Sequence, residues 1–393
     1  MSVYSIIYYI LLFCLVLPSV GQCGWETPVQ LDSAEGAYPT LSYSPDGELR
    51  VFYNNYQTNK MVVRKRAQGQ TAFGPEVILY NSARAVGVYY AGGPTIDLAI
   101  ANCDTATILK STDNGDSFSW QKNYLAIDGV TCSHLPLFLT EDDADLRLIY
   151  GFMYHNAVLG DWEKIYYASR NSGTWDENGT FIEDSKHAII RGAYENGNNV
   201  SIVTSIGVFY SSDNGTNYTL MGNTGSGSAP DLLRADDMAI GTGDKLYLLR
   251  TYTYGEEPDD KHLTFTYSDN HGASWHSPQI LITEGPDSMW SPIFTVDGDR
   301  MVVAWFHDQV PNEHTDIKCI ISEDGGQTWG PVETIFSITG DEQLHYSGVW
   351  DIASRNGRAS LVYTVRDESL EDHVYGPSGF SVGFLIGSDR LWA

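Results

Sequence analysis

The chain has 393 residues, with 50 Asp and Glu against 23 Lys and Arg, for a formal charge of −27 at pH 7. That balance excludes a broad phosphate-neutralising surface, so nucleic acid is not an expected partner. An acidic ligand would need a local cluster of Arg or Lys set against the prevailing negative field.

In chain order, the first feature is the apolar run Ile6 to Leu17, followed by Pro18-Ser19-Val20-Gly21. Small residues at Ser19 and Gly21 fit cleavage before Gln22. Residues 1–21 therefore read as a secretory signal peptide and 22–393 as the mature chain. The run is short for a bilayer span, and no later segment is long and apolar enough. A secreted, extracellular protein with no membrane span after cleavage is expected, an uncleaved anchor being the alternative. Losing the leader removes Cys14 and leaves Cys23, Cys103, Cys132 and Cys319. Four cysteines allow three pairings. Cys103 with Cys132 is the local choice, and Cys23 with Cys319 would follow. Asn178, Asn199, Asn214 and Asn217 each stand in an Asn-x-Ser/Thr acceptor pattern.

Beyond the leader the elements are short and strand-like, as at Val51-Phe52-Tyr53, Met61-Val62-Val63 and Thr264 to Tyr267. No segment has the period of an amphipathic helix. A pattern Ser-x-Asp-x-Gly-x-Thr-Trp recurs between them. The cleanest copy is Ser322 to Trp329; looser ones are Ser111 to Phe118, Ser211 to Tyr218 and Ser268 to Trp275. Degenerate copies run from Arg66 to Phe73 and from Ser169 to Trp175. Starts at 66, 111, 169, 211, 268 and 322 lie 42–58 residues apart, the period of a repeat built from supersecondary units. Each copy reads as a hairpin turn. Ser and Asp side chains bind nearby backbone N–H groups, Gly supplies positive φ, and the closing aromatic buries an apolar face at the start of the next strand. The Asp residues of the pattern are therefore structural.

The repeat predicts an all-β fold: one β-propeller of four-stranded blades, with the turns between third and fourth strands. Inner strands are expected to start near Tyr38, Val86, His134, Ala188, Leu232, Trp290 and Tyr346, giving seven blades. Six is the alternative if Arg84 to Leu125 is not a blade. Trp25 to Leu31 is expected to close the last blade and remove an open sheet edge. Inner strands converge on the axis, so Tyr38, His134, Trp290, His345 and Tyr346 are candidate ligand contacts.

The repeat resembles the Asp box, or BNR repeat, of the sialidase superfamily of β-propellers, over nearly the whole mature chain. Tyr346-Ser347, followed by Asn356-Gly357 and Val362-Tyr363, is similar to the segment that carries a tyrosine nucleophile. The resemblance implies Tyr346 as nucleophile, Asp236 or Asp237 as its partner and Arg250 as a carboxylate-binding arginine. An incomplete arginine set goes with it: Ala37-Tyr38-Pro39 stands where a first Arg belongs, Asn59 where an acid Asp belongs, and His314 and Lys318 where a third Arg belongs. A second resemblance, to propeller polysaccharide lyases of the ulvan type, rests on Ser133-His134-Leu135-Pro136 and Leu148 to Asn156. It implies His134 and His155 as the base pair, with Arg250 neutralising a uronate. Three readings stay open: hydrolysis of a terminal acidic sugar, uronate elimination, and glycan or protein binding without catalysis. The expected ligand is a glycan or polysaccharide bearing a carboxylate. No cofactor is expected, and no Cys/His spacing or Ca²⁺ loop suggests a metal.

Overall fold

The computed structural model describes residues 25, 31, 36–55, 58–81, 85–90, 93–101, 105–125, 138–140, 146–156, 160–171, 174–175, 177, 180–185, 190–204, 207–221, 236–253, 261–284, 289–309, 314–338, 342–344, 350–367 and 380–386. Among these the regular elements are all strands apart from one 3₁₀ turn at Thr242–Asp244. It forms a β-propeller.

Seven sheets follow one another along the chain, and all pairings within them are antiparallel. Blade 1 holds Gly36–Tyr43, Leu49–Asn55, Lys60–Arg66 and Val77–Asn81. Blade 2 holds Ala85–Tyr90, Ile96–Ala101, Thr105–Ser111 and Ser119–Leu125, so the short segment does form a sheet of its own. Blade 3 holds Phe138–Thr140, Arg147–Asn156, Gly160–Asn171 and Thr180–Ser185, with Thr174–Trp175 as a fifth short strand. Blade 4 holds Ile190–Asn196, Asn199–Thr204, Gly207–Ser211 and Thr219–Met221; blade 5 holds Asp237–Ile240, Leu246–Thr253, Lys261–Ser268 and Gln279–Glu284. Blade 6 holds Met289–Asp297, Arg300–Gln309, His314–Ser322 and Glu333–Ile338. In blade 7, Glu342–Leu344 and Trp350–Arg355 pair along one edge of Arg358–Asp367, and Phe380–Ile386 pairs along the other.

Each inner strand touches that of the next blade, and the inner strand of blade 7 touches that of blade 1, which closes the ring. The core is divided accordingly. Seven clusters of buried apolar residues lie one at each junction between blades. Between blades 5 and 6, Leu249, Leu263 and Phe265 meet Val303 and Trp305. This is why the strands read as apolar on alternate residues and, in the second strands, nearly throughout: both faces of a blade are covered. Trp25 packs at the junction of blades 6 and 7, and Leu31 at that of blades 7 and 1. The remainder of the proposed closing segment lies outside the described residues, as do residues 1–21.

The four cleaner copies of the repeat fold alike, each between third and fourth strands. At Ser322, Oγ donates to Asp324 Oδ1 at 2.8 Å and accepts the Gly326 N–H at 2.9 Å, while Asp324 Oδ1 accepts the Thr328 N–H at 2.8 Å. The same bonds recur at Ser111, Ser211 and Ser268, with Asn270 serving for Asp in the last. The fourth residue of each copy has positive φ: Asn114 59°, Asn214 60°, His271 59° and Gly325 69°. Hydrogen bonds from Ser117 and Ser111 hold Asp113 well below the usual carboxylate range, and those from Asn217 bring Asp213 to about 2. These carboxylates are committed acceptors in exposed turns, as their sequence pattern implied.

Cys319 is buried on the third strand of blade 6. Cys23, Cys103 and Cys132 lie outside the described residues, as does Asn178. Asn199 accepts from the Tyr210 hydroxyl at 2.8 Å, while Asn214 and Asn217 are exposed in one turn.

Candidate functional site

In the blades that carry it the repeat turn occupies one end. The start of the inner strand and the end of the second strand occupy the other, because successive strands run antiparallel. Inner-strand starts therefore ring one mouth of the propeller, opposite the repeat turns. Three inner strands have a register irregularity there: between Ala37 and Thr40, between Ile190 and Gly192, and between Trp290 and Ile293. Bulges at such positions re-aim side chains and gather next to functional sites.

Two arginines and two aspartates lie on or next to the strands at the mouth end of blades 4 and 5. Arg191 is the unpaired residue of the bulge between Ile190 and Gly192. It is half-buried, and its Nε is buried with no hydrogen-bond partner among the described residues. A Cβ on Gly192 would lie 2.7 Å from the Met238 sulfur, so the inner strands of these blades come close beside Arg191. Arg250, half-buried on the second strand of blade 5, lies in register with Thr264, whose hydroxyl donates to the Arg250 carbonyl at 3.2 Å.

The two nominated carboxylates are tied to backbone. Asp236 Oδ2 accepts the Thr251 N–H at 2.5 Å and the Thr251 hydroxyl at 2.7 Å. Asp237 accepts the Met238 N–H on Oδ1 and the Phe294 N–H of blade 6 on Oδ2, each at 2.8 Å. Burial pushes the Asp237 carboxyl up to about 7; Asp351 adds to the rise, and the two N–H groups and the Arg191 guanidinium oppose it.

At blades 5 and 6, His307 Nδ1 is 2.6 Å from Glu284 Oε2, and Lys318 Nζ is 3.4 Å from Glu284 Oε1. At blades 6 and 7, Trp290 is half-buried and fixed from several sides. Its Nε1 donates to Asp308 Oδ2 at 3.0 Å, Asp308 Oδ1 accepts the Thr315 hydroxyl at 2.7 Å, and its ring centroid lies 4.5 Å from that of Phe306. Phe306 in turn stacks on Trp350 at 3.9 Å, and the Trp350 indole donates to the Ser291 carbonyl at 2.9 Å. Ser291, within the bulge, has φ 45°, a strained conformation for a non-glycine residue.

Of the nominated residues, Asp236, Asp237, Arg250 and Trp290 are placed at this mouth. Tyr38 and His155 lie on the inner strand of blade 1 and the second strand of blade 3, with side chains outside the description. His134, His345 and Tyr346 lie outside the described residues. Sequence reasoning missed Arg191, Glu284, His307 and Asp308. Arg191 had a signal: a charge between Ile190 and Gly192, close to an expected inner-strand start. His307 and Glu284 had none, because their proximity depends on the junction between two blades.

Among the described residues no group of three His, Cys, Asp or Glu could hold a metal, and no helix is long and apolar enough to cross a membrane. No family model and no curated protein matches the sequence. Solved structures do resemble the fold. The polysaccharide lyase Uly1 aligns over 93% of this chain and 99% of its own at 9% identity, with a TM-score of 0.50. A protein of unknown function from Dyadobacter fermentans aligns over 93% and 100% at 12% identity, with a TM-score of 0.49. An α-L-arabinofuranosidase from Fusarium graminearum aligns over 77% and 98% at 12% identity, with a TM-score of 0.44. At these identities the likeness is one of fold.

Proposed function

We propose that the chain is a secreted carbohydrate-active protein, a glycoside hydrolase for a terminal acidic sugar with an incomplete arginine set. The observation that carries this reading is Arg191. A half-buried guanidinium whose buried Nε has no hydrogen-bond partner among the described residues is costly, and a cation held at the mouth of a chain of formal charge −27 suits a carboxylate ligand. Arg250 on the neighbouring blade supplies a second positive group to the same end of the propeller. Repeat turns with the Asp-box pattern support the sialidase-like assignment, and a polysaccharide lyase on a similar fold supports a glycan as ligand class. Fold alone does not fix chemistry. The roles proposed are Tyr346 as nucleophile, Asp236 or Asp237 as its polar partner, Arg191 and Arg250 on the sugar carboxylate, and Tyr38, Trp290 and His345 as further substrate contacts.

The test is a glycan array, followed by cleavage assays on the glycans that bind. Release of a free acidic sugar is the expected result. A product absorbing in the near ultraviolet would instead indicate elimination, with His134 and His155 as the base pair. Binding without turnover would leave a glycan-binding propeller.

A further inference from the structure

A glycoside hydrolase needs a group that delivers a proton to the departing oxygen, placed by geometry before any question of acidity. Asp236 and Asp237 are already bonded to backbone N–H groups. His307 has the geometry they lack. It lies near the mouth end of the second strand of blade 6, in register with Met289 at the start of the inner strand.

A carboxylate only accepts, so the 2.6 Å contact with Glu284 places the ring hydrogen on Nδ1 and leaves Nε2 to exchange a proton. Glu284 is the last residue of the outer strand of blade 5, so the ring is gripped from the neighbouring blade. Lys318 holds the other oxygen of Glu284. Lys261, in register with Glu284, donates to the Met289 carbonyl at 3.3 Å. Two ammonium groups thus flank the His–Glu pair, a setting that suits an anionic sugar. His307, Glu284 and Lys318 are 16%, 15% and 16% exposed, within reach of a ligand yet shielded from bulk water.

We propose that His307, oriented by Glu284, is the proton donor to the leaving oxygen of an acidic glycoside bound at this mouth. This rests on the hydrolase reading above. In the step the Nε2–H bond breaks and the proton goes to the glycosidic oxygen. The bond from that oxygen to the anomeric carbon breaks, its electron pair staying on the oxygen. The oxygen of the Tyr346 nucleophile proposed above bonds to the anomeric carbon, its proton passing to its Asp partner. A water oxygen then displaces it, the tyrosine takes its proton back, and the proton released by the water returns to Nε2. The sum is glycoside plus water giving a free sugar and an alcohol. Glu284 touches no reacting atom and is a positioning residue.

The experiment compares full-length wild type, H307Q and E284Q on methyl and 2,4-dinitrophenyl glycosides of N-acetylneuraminic acid and of glucuronic acid. Thermal midpoints confirm that the variants fold. Dinitrophenolate departs without a proton, so the leaving group separates an acid from a structural strut. H307Q is expected to lose roughly 10²–10³-fold in kcat/KM on the methyl glycoside and less than about 5-fold on the dinitrophenyl one. E284Q is expected to show the same pattern with a smaller loss. Equal losses on both leaving groups, or none, overturn the acid role while leaving the hydrolase reading intact. Wild type inactive on all four glycosides overturns both. Should H307Q fail to fold, E284Q carries the same decision, because the leaving-group pattern is what is read.

Discussion

The Asp237 carboxylate of blade 5 accepts the Phe294 N–H of blade 6 at 2.8 Å, a part-buried staple between consecutive inner strands. Asp351 of blade 7 repeats it, accepting the Leu41 N–H of blade 1 at 3.0 Å across the closure of the ring. Each also accepts the N–H of the residue that follows it. Burial raises both carboxyls to about 7, from an ordinary 3.8.

The pH dependence of stability follows from that pair. The unfolded chain ionises these groups near pH 4, whereas the folded chain keeps their protons until about pH 7. Their contribution is complete below pH 4, falls as pH rises between about 4 and 7, and is lost above 7. For each group it should be on the order of a few kcal/mol. The double variant D237N/D351N should show a flatter stability profile over that window than wild type, with a constant offset for the N–H groups it serves less well. Urea unfolding at pH 5 and pH 8 checks this. Identical slopes in the two proteins would show that both aspartates titrate normally in the fold.

A buried ion pair joins blades 3 and 4. Arg147 Nη1 lies 3.0 Å from Glu195 Oε1, with side chains 9% and 3% exposed, and Arg147 also donates to Asn214 in the repeat turn of blade 4. R147M would strand the Glu195 carboxylate in a dry junction and should destabilise the protein by about 3–5 kcal/mol. Adding E195L removes the stranded charge and should recover much of the loss. Calorimetry on the single and double variants is the check; a double variant as unstable as R147M would mean that the Asn214 contact dominates.

Gly326 shows why the repeat needs glycine at its fifth position. Its φ is +83°, and a Cβ there would lie 2.8 Å from Cε1 of the buried Phe265 ring. Gly69, the fourth residue of the degenerate copy, has φ +78° but open space around it. G69A should therefore cost only about 1 kcal/mol of backbone strain, and G326A about 2–4 kcal/mol, since the Phe265 ring must also move. Paired denaturant midpoints test the difference. Equal effects would mean that strain alone sets the requirement.

The repeat was legible because every partner of Ser322 and Asp324 lies within six residues of it, so local spacing encodes the turn. The strand order was legible for the same reason: each blade is a run of consecutive hairpins. The mouth was only partly legible. Inner-strand starts can be counted from the turns, which nominated Trp290, and the flanking pattern nominated Arg250. What a carboxylate does there is set by the neighbouring blade. Asp237 was nominated as a partner for a tyrosine, and its second oxygen is engaged by Phe294, 57 residues onward. His307 and Glu284 meet across a similar junction, which no local pattern records.

Arg191 should behave as a functional rather than a stabilising residue. Its Nε gains no hydrogen bond from the described residues, so R191M should leave the thermal midpoint unchanged or slightly raised, where loss of a structural arginine would lower it. Because the guanidinium holds the Asp237 carboxyl down, its removal should also move the upper edge of the pH window above about 7. On the ligand side, the same substitution should weaken binding of N-acetylneuraminate or glucuronate by roughly 10–100-fold, the scale of one charge-assisted hydrogen bond. Neutral galactose should be little affected. R191K should recover only part of the loss, since a lysine cannot present two parallel N–H groups to a carboxylate. Isothermal titration with the two acids and galactose, at low and high salt, separates a direct contact from long-range attraction. A large fall in the thermal midpoint with no change in acid binding would place Arg191 in the scaffold and remove the main support for an acidic ligand.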